Sequence, residues 1–318
     1  MRVGLMFPPD ADPVLVPDFA RRAEEQGFDF FCCGEHVFFH GPITNAFVAL
    51  AAAAGATERI RLLSALTVLP VYPAALAAKL IATLDRVSQG RFELGVGVGG
   101  EYPPEFAAVG VPLAERGARA DEALDLLSRL FTGEPVTFHG RFSTIEDQVL
   151  RPVPLQRPGP PVWVGGRKGP AIRRAARHAD VWLPYLVTPD RLAAGLTEVR
   201  DLAEQYGRPR DAVRGGVFCW SVVDSDGAWA RQAAIDGISA TYQQDFTRFA
   251  DSYLLCGNVE QVSERIMEYA AAGAQELVFA PACAEADRER VINTFVAEVL
   301  PVVRTADRRS SGGVSVVR

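Results

Sequence analysis

Two patterns of hydrophobic residues alternate along the chain. Short, nearly continuous apolar runs, such as residues 2–7 and 29–33, indicate strands that are buried on both faces. Between the strands, apolar residues recur every three or four positions, which predicts amphipathic helices. The predicted strands are residues 2–7, 29–33, 61–69, 91–101, 162–166, 180–184, 216–223 and 275–280. The predicted helices are residues 17–26, 46–56, 74–88, 115–131, 170–178, 189–206 and 285–300.

This alternation predicts a parallel sheet covered by helices, and 318 residues are enough to close it into one (β/α)8 TIM barrel. A doubly wound open sheet is the alternative, because a local pattern does not distinguish a closed sheet from an open one. Pro8-Pro9 follows the first strand where dinucleotide-binding open sheets carry a GxGxxG turn, which favours the barrel. We expect one barrel domain over residues 1–304, an inserted hairpin joined at His139-Gly140, and a flexible polar tail over residues 305–318.

The fourth predicted strand has two unequal faces. One face carries bulky apolar side chains, and the other is nearly bare after Glu93. Glycine inside a strand often marks the close approach of a ligand or of another backbone. We therefore expect the bare face to make room for a ligand, and Glu93 to pair with Arg61 at the barrel floor. The bulky face consists of Phe92, Leu94, Val96 and Val98, and the bare face continues with Gly95, Gly97 and Gly99.

Composition and charge exclude several classes of function. The balance of 33 basic against 39 acidic residues gives a net charge of −6, which argues against a nucleic-acid partner. The five cysteines form no CxxC pair, so neither a disulfide framework nor a zinc site is expected, and no metal is predicted. No apolar run approaches the roughly 20 residues that span a bilayer, and no signal peptide is recognisable, so the expected location is the cytoplasm.

In a barrel, active sites gather at the carboxyl ends of the strands. His36 ends the second strand and is a candidate proton donor or cofactor contact. Glu101 follows the bare strand and is a candidate acid. Gly165-Gly166-Arg167-Lys168 joins a strand to a helix and is a candidate anion site, since backbone N–H groups and two cations meet there. The long segment 238–258 after the seventh strand is either a lid or ordinary packing.

Six motifs stand out at the predicted strand ends and connections. They are Gly34-Glu35-His36, Thr67-Val68-Leu69-Pro70-Val71-Tyr72-Pro73, Leu84-Asp85-Arg86-Val87-Ser88-Gln89-Gly90-Arg91-Phe92, Gly95-Val96-Gly97-Val98-Gly99, Val111-Pro112-Leu113-Ala114-Glu115-Arg116-Gly117 and Val162-Trp163-Val164-Gly165-Gly166. Together they resemble the luciferase-like monooxygenase family, and in particular its branch that uses the deazaflavin coenzyme F420. The resemblance covers roughly residues 1–304 and is more specific to the family than to one reaction.

The resemblance implies a hydride-transferring oxidoreductase with an isoalloxazine-like ring at the carboxyl end of the barrel. It implies a non-proline cis peptide at Ala65–Leu66 behind the ring, contact or proton transfer by His36, and a cofactor phosphate at Gly165-Gly166. It also implies a homodimer, and a separate reductase or dehydrogenase that reduces the cofactor. The expected cofactor-binding residues are Phe7, His36, Ser64, Ala65, Leu66, Gly97, Val98, Gly99, Gly165, Gly166, Arg167 and Lys168, and the expected catalytic residues are His36 and Glu101.

Two departures from the family pattern bear on the choice of cofactor. Flavin-using members have an arginine for the flavin phosphate where this chain has Val98, and a second histidine where it has Val37. The absence of that arginine favours F420 over FMN. The alternatives are a monooxygenase that uses reduced FMN, and a non-catalytic protein that binds a flavin or deazaflavin.

Overall fold

Eight parallel strands close into a barrel in the computed structural model, which describes residues 1–311 and the side chains of residues 1–305. The ring closes because the first strand, Arg2–Met6, pairs with both Phe30–Cys33 and the last strand, Ala274–Pro281, which pairs in turn with Arg214–Val223. Arg214–Val223 also pairs with Val181–Leu183. The predicted TIM barrel is confirmed, and the open sheet is excluded. The strands in chain order are β1 (Arg2–Met6), β2 (Phe30–Cys33), β3 (Arg61–Ser64), β4 (Thr67–Val68), β5 (Phe92–Gly97), β6 (Val136–His139), β7 (Thr144–Gln148), β8 (Val162–Gly165), β9 (Val181–Leu183), β10 (Arg214–Val223), β11 (Leu255–Gly257) and β12 (Ala274–Pro281).

Three of these strands add to the barrel rather than form its ring of eight. The pair β6–β7 is the predicted hairpin, which lies outside the barrel sheet. The short β11 extends the sheet beside the end of β10. In contrast, β4 continues the third barrel position after an interruption at Ala65–Leu66 and pairs with β5.

Helices cover the outside of the barrel, and their ends agree with the predicted ends to within one or two residues for most elements. Six elements were not predicted: α4 (Pro103–Ala108), α8 (Gly227–Tyr242), α9 (Ala250–Tyr253), α10 (Val259–Ala271), α12 (Leu300–Ser311) and β11. The last helix runs to Ser311, so the expected flexible tail begins inside it, and residues 312–318 lie outside the described part. The helices are α1 (Val16–Glu25), α2 (Ala46–Ala56), α3 (Ala74–Val87), α4 (Pro103–Ala108), α5 (Arg116–Leu130), α6 (Gly169–His178), α7 (Pro189–Gln205), α8 (Gly227–Tyr242), α9 (Ala250–Tyr253), α10 (Val259–Ala271), α11 (Glu285–Thr294) and α12 (Leu300–Ser311).

A buried ionic cluster forms the floor of the barrel. Glu93 accepts hydrogen bonds from Arg61, from Arg2 at 3.2 Å and from the indole Nε1 of Trp163 at 2.6 Å. Burial alone would raise the pKa of Glu93, but the two guanidinium groups outweigh it and hold that pKa below its usual value. The predicted pair of Glu93 and Arg61 is confirmed, and it lies at the end of the barrel where the strands begin.

No helix among residues 1–311 is both long and apolar enough to cross a membrane.

Candidate active site

A cavity of about 240 Å³ opens at the carboxyl ends of the barrel strands. Its wall combines residues from the ends of β1, β2, β5, β8, β9 and β10 with the last turn of α8. The structure therefore brings most of the predicted site residues together around one space. Those that line it are Phe7, His36, Ala65, Leu66, Gly97, Val98, Gly99, Glu101, Gly165 and Gly166.

The bulge formed by Ala65 and Leu66, between β3 and β4, fills most of the space beside the bare face of β5. The Ala65–Leu66 peptide bond is cis, as the resemblance implied, and Leu66 projects toward Gly95, Gly97 and Gly165. A Cβ added at Gly95 would overlap the carbonyl oxygen of Ser64, and one added at Gly165 would overlap Leu66. The expectation that a ligand fills this space is therefore wrong at Gly95, where backbone approaches backbone.

His36 is held by a buried carboxylate that was not among the predicted site residues. Its Nδ1 lies 3.0 and 3.1 Å from the two carboxylate oxygens of Glu105, which is fully buried. The backbone N–H of Val37 also donates to Glu105, at 3.2 Å. A buried carboxylate needs such donors, so the bond places a hydrogen on Nδ1 and leaves Nε2 for a ligand.

The neighbouring Glu35 has a structural role. Its carboxylate accepts bonds from the backbone N–H of Val68 at 2.9 Å, from the Tyr72 hydroxyl at 2.9 Å and from the backbone N–H of Ala46 at 3.2 Å. Burial raises the pKa of Glu35, and these hydrogen bonds oppose the rise. Glu35 thus ties the end of β2 to β4 and to the start of α2, which fixes the backbone that carries His36.

The predicted anion loop lies at the edge of the cavity. Gly166 has a φ of +95°, a conformation that favours glycine, and α6 begins three residues later. Among the described residues, the backbone N–H groups of Arg167 and Lys168 have no acceptor. Arg167 itself reaches away, donating to the carbonyl of Leu186 and lying 5.7 Å from the centre of the Tyr185 ring. Lys168 is exposed, caps the helix without a side-chain hydrogen bond, and is the cation left for an anion.

Three predicted residues have surroundings that the sequence did not show. Ser64 is fully buried below the cavity, where its hydroxyl bonds to the backbone of Gly95 at 2.9 and 3.1 Å, so it does not reach the predicted cofactor space. Glu101 lies exposed at the rim, 3.4 Å from the Tyr185 hydroxyl. Val98 was counted with the bulky face of the strand and also as a cofactor contact; β5 ends at Gly97, and Val98 lines the cavity.

An aromatic cluster covers the same space, and of its members only Tyr242 lies in a segment, residues 238–258, that was singled out from the sequence. The Phe39 ring stacks on His36, with ring centres 4.4 Å apart, and makes edge contacts with Tyr102 and Tyr242 at 6.3 and 6.0 Å. Burial raises the pKa of Tyr242, and nearby Tyr185 and Glu101 raise it further, so this phenol stays neutral at physiological pH. Trp220, near the end of β10, completes the wall and is 7% exposed.

The chain is similar to proteins of known and unknown activity. Uncharacterised proteins of Mycobacterium tuberculosis and Mycobacterium bovis are 37% identical over 176 residues, which cover 55% of this chain. The match spans only 60% of the length of those mycobacterial proteins. An FMNH2-dependent dimethylsulfone monooxygenase of Pseudomonas putida is 27% identical over 311 residues, covering 87% of this chain and 82% of that protein.

Solved structures agree on the fold. An F420-dependent secondary alcohol dehydrogenase, solved with an F420–acetone adduct, superposes with a TM-score of 0.84 at 21% identity, over 95% of this chain and 99% of that one. The monooxygenase RslO1 of Streptomyces bottropensis superposes with a TM-score of 0.84 at 25% identity and the same coverage. A sequence model described as luciferase-like monooxygenase matches residues 1–276, which is most of the chain. The chain therefore belongs to the luciferase-like monooxygenase family.

Proposed function

We propose that this protein is an oxidoreductase that binds coenzyme F420 and catalyses hydride transfer between the deazaflavin and a small organic substrate. The observation that carries the proposal is His36, held at the cavity by the buried Glu105. Reduction of a carbonyl or oxidation of an alcohol moves a proton as well as a hydride. A histidine with one nitrogen fixed and the other available supplies or accepts that proton.

The cavity fits a planar ring with a polar tail. Met6, Leu66 and Phe218 give it apolar walls, while the glycine backbone at 97–99 and 165–166 leaves one side open. When bound, F420 would accept or release a hydride at C5 of its ring. Leu66 and its neighbours would orient the ring, and the N–H groups at Arg167 and Lys168 would hold the phosphate.

The groups near the anion loop suit the phosphate of F420 better than that of FMN. FMN ends in a phosphomonoester, which carries close to two negative charges at neutral pH, whereas the phosphate of F420 is a singly charged diester. No lysine or arginine lines the cavity among the described residues, since Val98 stands at its wall and Arg167 points to Leu186. The exposed Lys168, together with the free backbone N–H groups of the anion loop, suits the single charge of a phosphodiester.

A second candidate is a monooxygenase that uses reduced FMN. The similarity to the dimethylsulfone monooxygenase over 87% of the chain favours this activity. In that case the protein would need a separate reductase, and His36 would again be the proton-transfer group.

Titration with the two cofactors separates the candidates. We expect purified protein to bind F420, oxidised or reduced, at least about tenfold more tightly than FMN, which corresponds to about 1.4 kcal/mol. Isothermal calorimetry or quenching of cofactor fluorescence measures both affinities. Tight binding of FMN without affinity for F420 would overturn the first candidate in favour of the second. The substitution Val98→Arg is the matched variant, and we expect it to tighten FMN binding more than F420 binding.

The anion loop gives a second prediction. Lys168→Ala should weaken F420 binding by roughly two- to fivefold, because an exposed cation contributes at most about 1 kcal/mol, and the loss should shrink as salt is added. Arg167→Ala is the control on the same loop, and its effect should be smaller because Arg167 already bonds to the Leu186 carbonyl. Equal affinities for wild type and Lys168→Ala at low salt would show that the phosphate binds elsewhere.

A further inference from the structure

A second and larger cavity, of about 680 Å³, adjoins the catalytic cavity. It lies between the loop after β2, helix α8 and the segment after β12. Both cavities are lined by Phe39, Ile43, Trp220 and Thr241, so one layer of side chains separates them. Its volume falls in the range of small-molecule sites, roughly 300–1,000 Å³.

The lining of this larger cavity is apolar with an acidic edge. Trp229, Ala233 and Ala282 contribute apolar surface, and Asp10, Asp236 and Asp287 contribute carboxylates. No lysine or arginine lines it among the described residues. Two of the carboxylates are paired with arginines that lie outside the lining.

Those two carboxylates are Asp10 and Asp287. Asp10 is paired with the buried Arg288 at 2.7 Å, and Asp287 lies 2.9 Å from Arg290, whose charge is shared with Asp224. Asp236 has only the side-chain amide of Gln232, at 2.8 Å. Asp236 therefore leaves a net negative charge at the edge, which disfavours phosphates, sulfonates and carboxylates there.

Trp220 supplies an independent observation at the boundary between the cavities. Its side chain is 7% exposed, and its buried indole Nε1 makes no hydrogen bond of ordinary geometry among the described residues, although the Tyr242 hydroxyl lies beside it as a poorly placed acceptor. A buried donor without a well-placed acceptor is destabilising by about 1–3 kcal/mol. An acceptor atom of a ligand placed at this boundary would satisfy it.

We propose that the larger cavity binds the non-reacting body of the substrate, and that the substrate is an uncharged or cationic organic molecule with an apolar body and an oxygen acceptor near its reacting end. This inference rests on the proposed function, in which the reacting end occupies the catalytic cavity beside His36. The acceptor oxygen lies at the boundary beside Trp220, and the apolar body packs on Trp229 and Ala233. The acidic edge at Asp236 disfavours substrates with an anionic body.

Two fluorescent probes that differ by a single charge test the binding site without any cofactor. N-phenyl-1-naphthylamine is neutral, and 1-anilinonaphthalene-8-sulfonate is the same molecule with a sulfonate. We expect wild-type protein to bind one neutral probe per chain, roughly two- to fivefold more tightly than the sulfonate, because Asp236 is exposed and an exposed charge contributes at most about 1 kcal/mol. Ala233→Phe, which fills the cavity, should weaken the neutral probe by about tenfold or more. Ala228→Phe, an exposed position of the same helix outside the cavity, is the control and should change nothing.

Charge reversal tests the acidic edge. Asp236→Lys should raise the affinity for the sulfonate toward that for the neutral probe, whereas Asp245→Lys, exposed and outside the cavity, should not. If Ala233→Phe fails to fold by circular dichroism, Ala240→Phe fills the same cavity from an exposed position. Unchanged binding of the neutral probe in the filled variant, or equal binding of both probes to wild type, would overturn the inference. Since no F420 is present, a failure of F420 binding would instead count against the proposed function.

Discussion

Replacing His36 with alanine is expected to lower turnover by about 10²- to 10⁴-fold, the usual contribution of a positioned general acid or base. The affinity for F420 should change far less, because most of the cavity wall stays in place. The assay follows the absorbance of oxidised F420 with a panel of secondary alcohols or ketones. His139→Ala is the control, since His139 is exposed on the β6–β7 hairpin and pairs with Glu146. Unchanged turnover in His36→Ala would remove His36 from the mechanism.

The role of Glu105 follows from a double-mutant cycle with His36. Glu105→Gln keeps an oxygen that can accept the bond from Nδ1 and should therefore reduce turnover less than Glu105→Leu, which removes the acceptor. If Glu105 acts through His36, the double variant His36→Ala/Glu105→Leu should be no slower than His36→Ala alone. Additive losses would show that Glu105 works independently of the histidine.

The barrel was predictable because its signal is local. Each strand is a short, nearly continuous apolar run, and each run is followed by a helical period, so element type and order follow from short windows. The helix α4 was not predicted from the sequence because it has only six residues and starts with Pro103-Pro104. The helix α8 was not predicted because apolar residues lie all around it, so it shows no amphipathic period, and because it contains glycine at both 227 and 237. The capping pair Asn258 and Gln261 does signal the start of α10, so that helix could have been found.

The site was predictable only in part, because its key contacts join distant segments. The barrel rule places His36 and the glycines at strand ends, but it does not show which side chains meet there. Glu105 lies 69 residues from His36 along the chain and is carried by the unpredicted α4. Trp220 could have been noticed as a large aromatic near the end of a predicted strand. Sequence showed the missing side chains on β5, but not that Leu66 takes their place.

The substitution Gly95→Ala tests that last contact, and we expect it to destabilise the fold by about 2–3 kcal/mol or more. Gly95 is fully enclosed, and an added Cβ would overlap the Ser64 carbonyl oxygen and lie 2.8 Å from Leu66 Cδ2. Neither atom is the far end of a long flexible side chain, so the bulge itself has to move. Because Leu66 also lines the cavity, F420 affinity should fall together with stability.

The matched control for Gly95→Ala is Gly55→Ala in α2, where an added Cβ meets nothing within 4 Å. There alanine should be neutral or stabilise by up to about 1 kcal/mol, since glycine is the poorer helix former. Urea or thermal unfolding of both variants measures the difference, and the two substitutions should have opposite signs. Equal stabilities would mean that the bulge can retreat from β5. The bare face would then be spare room that a ligand could use, as the alternation of side chains first suggested.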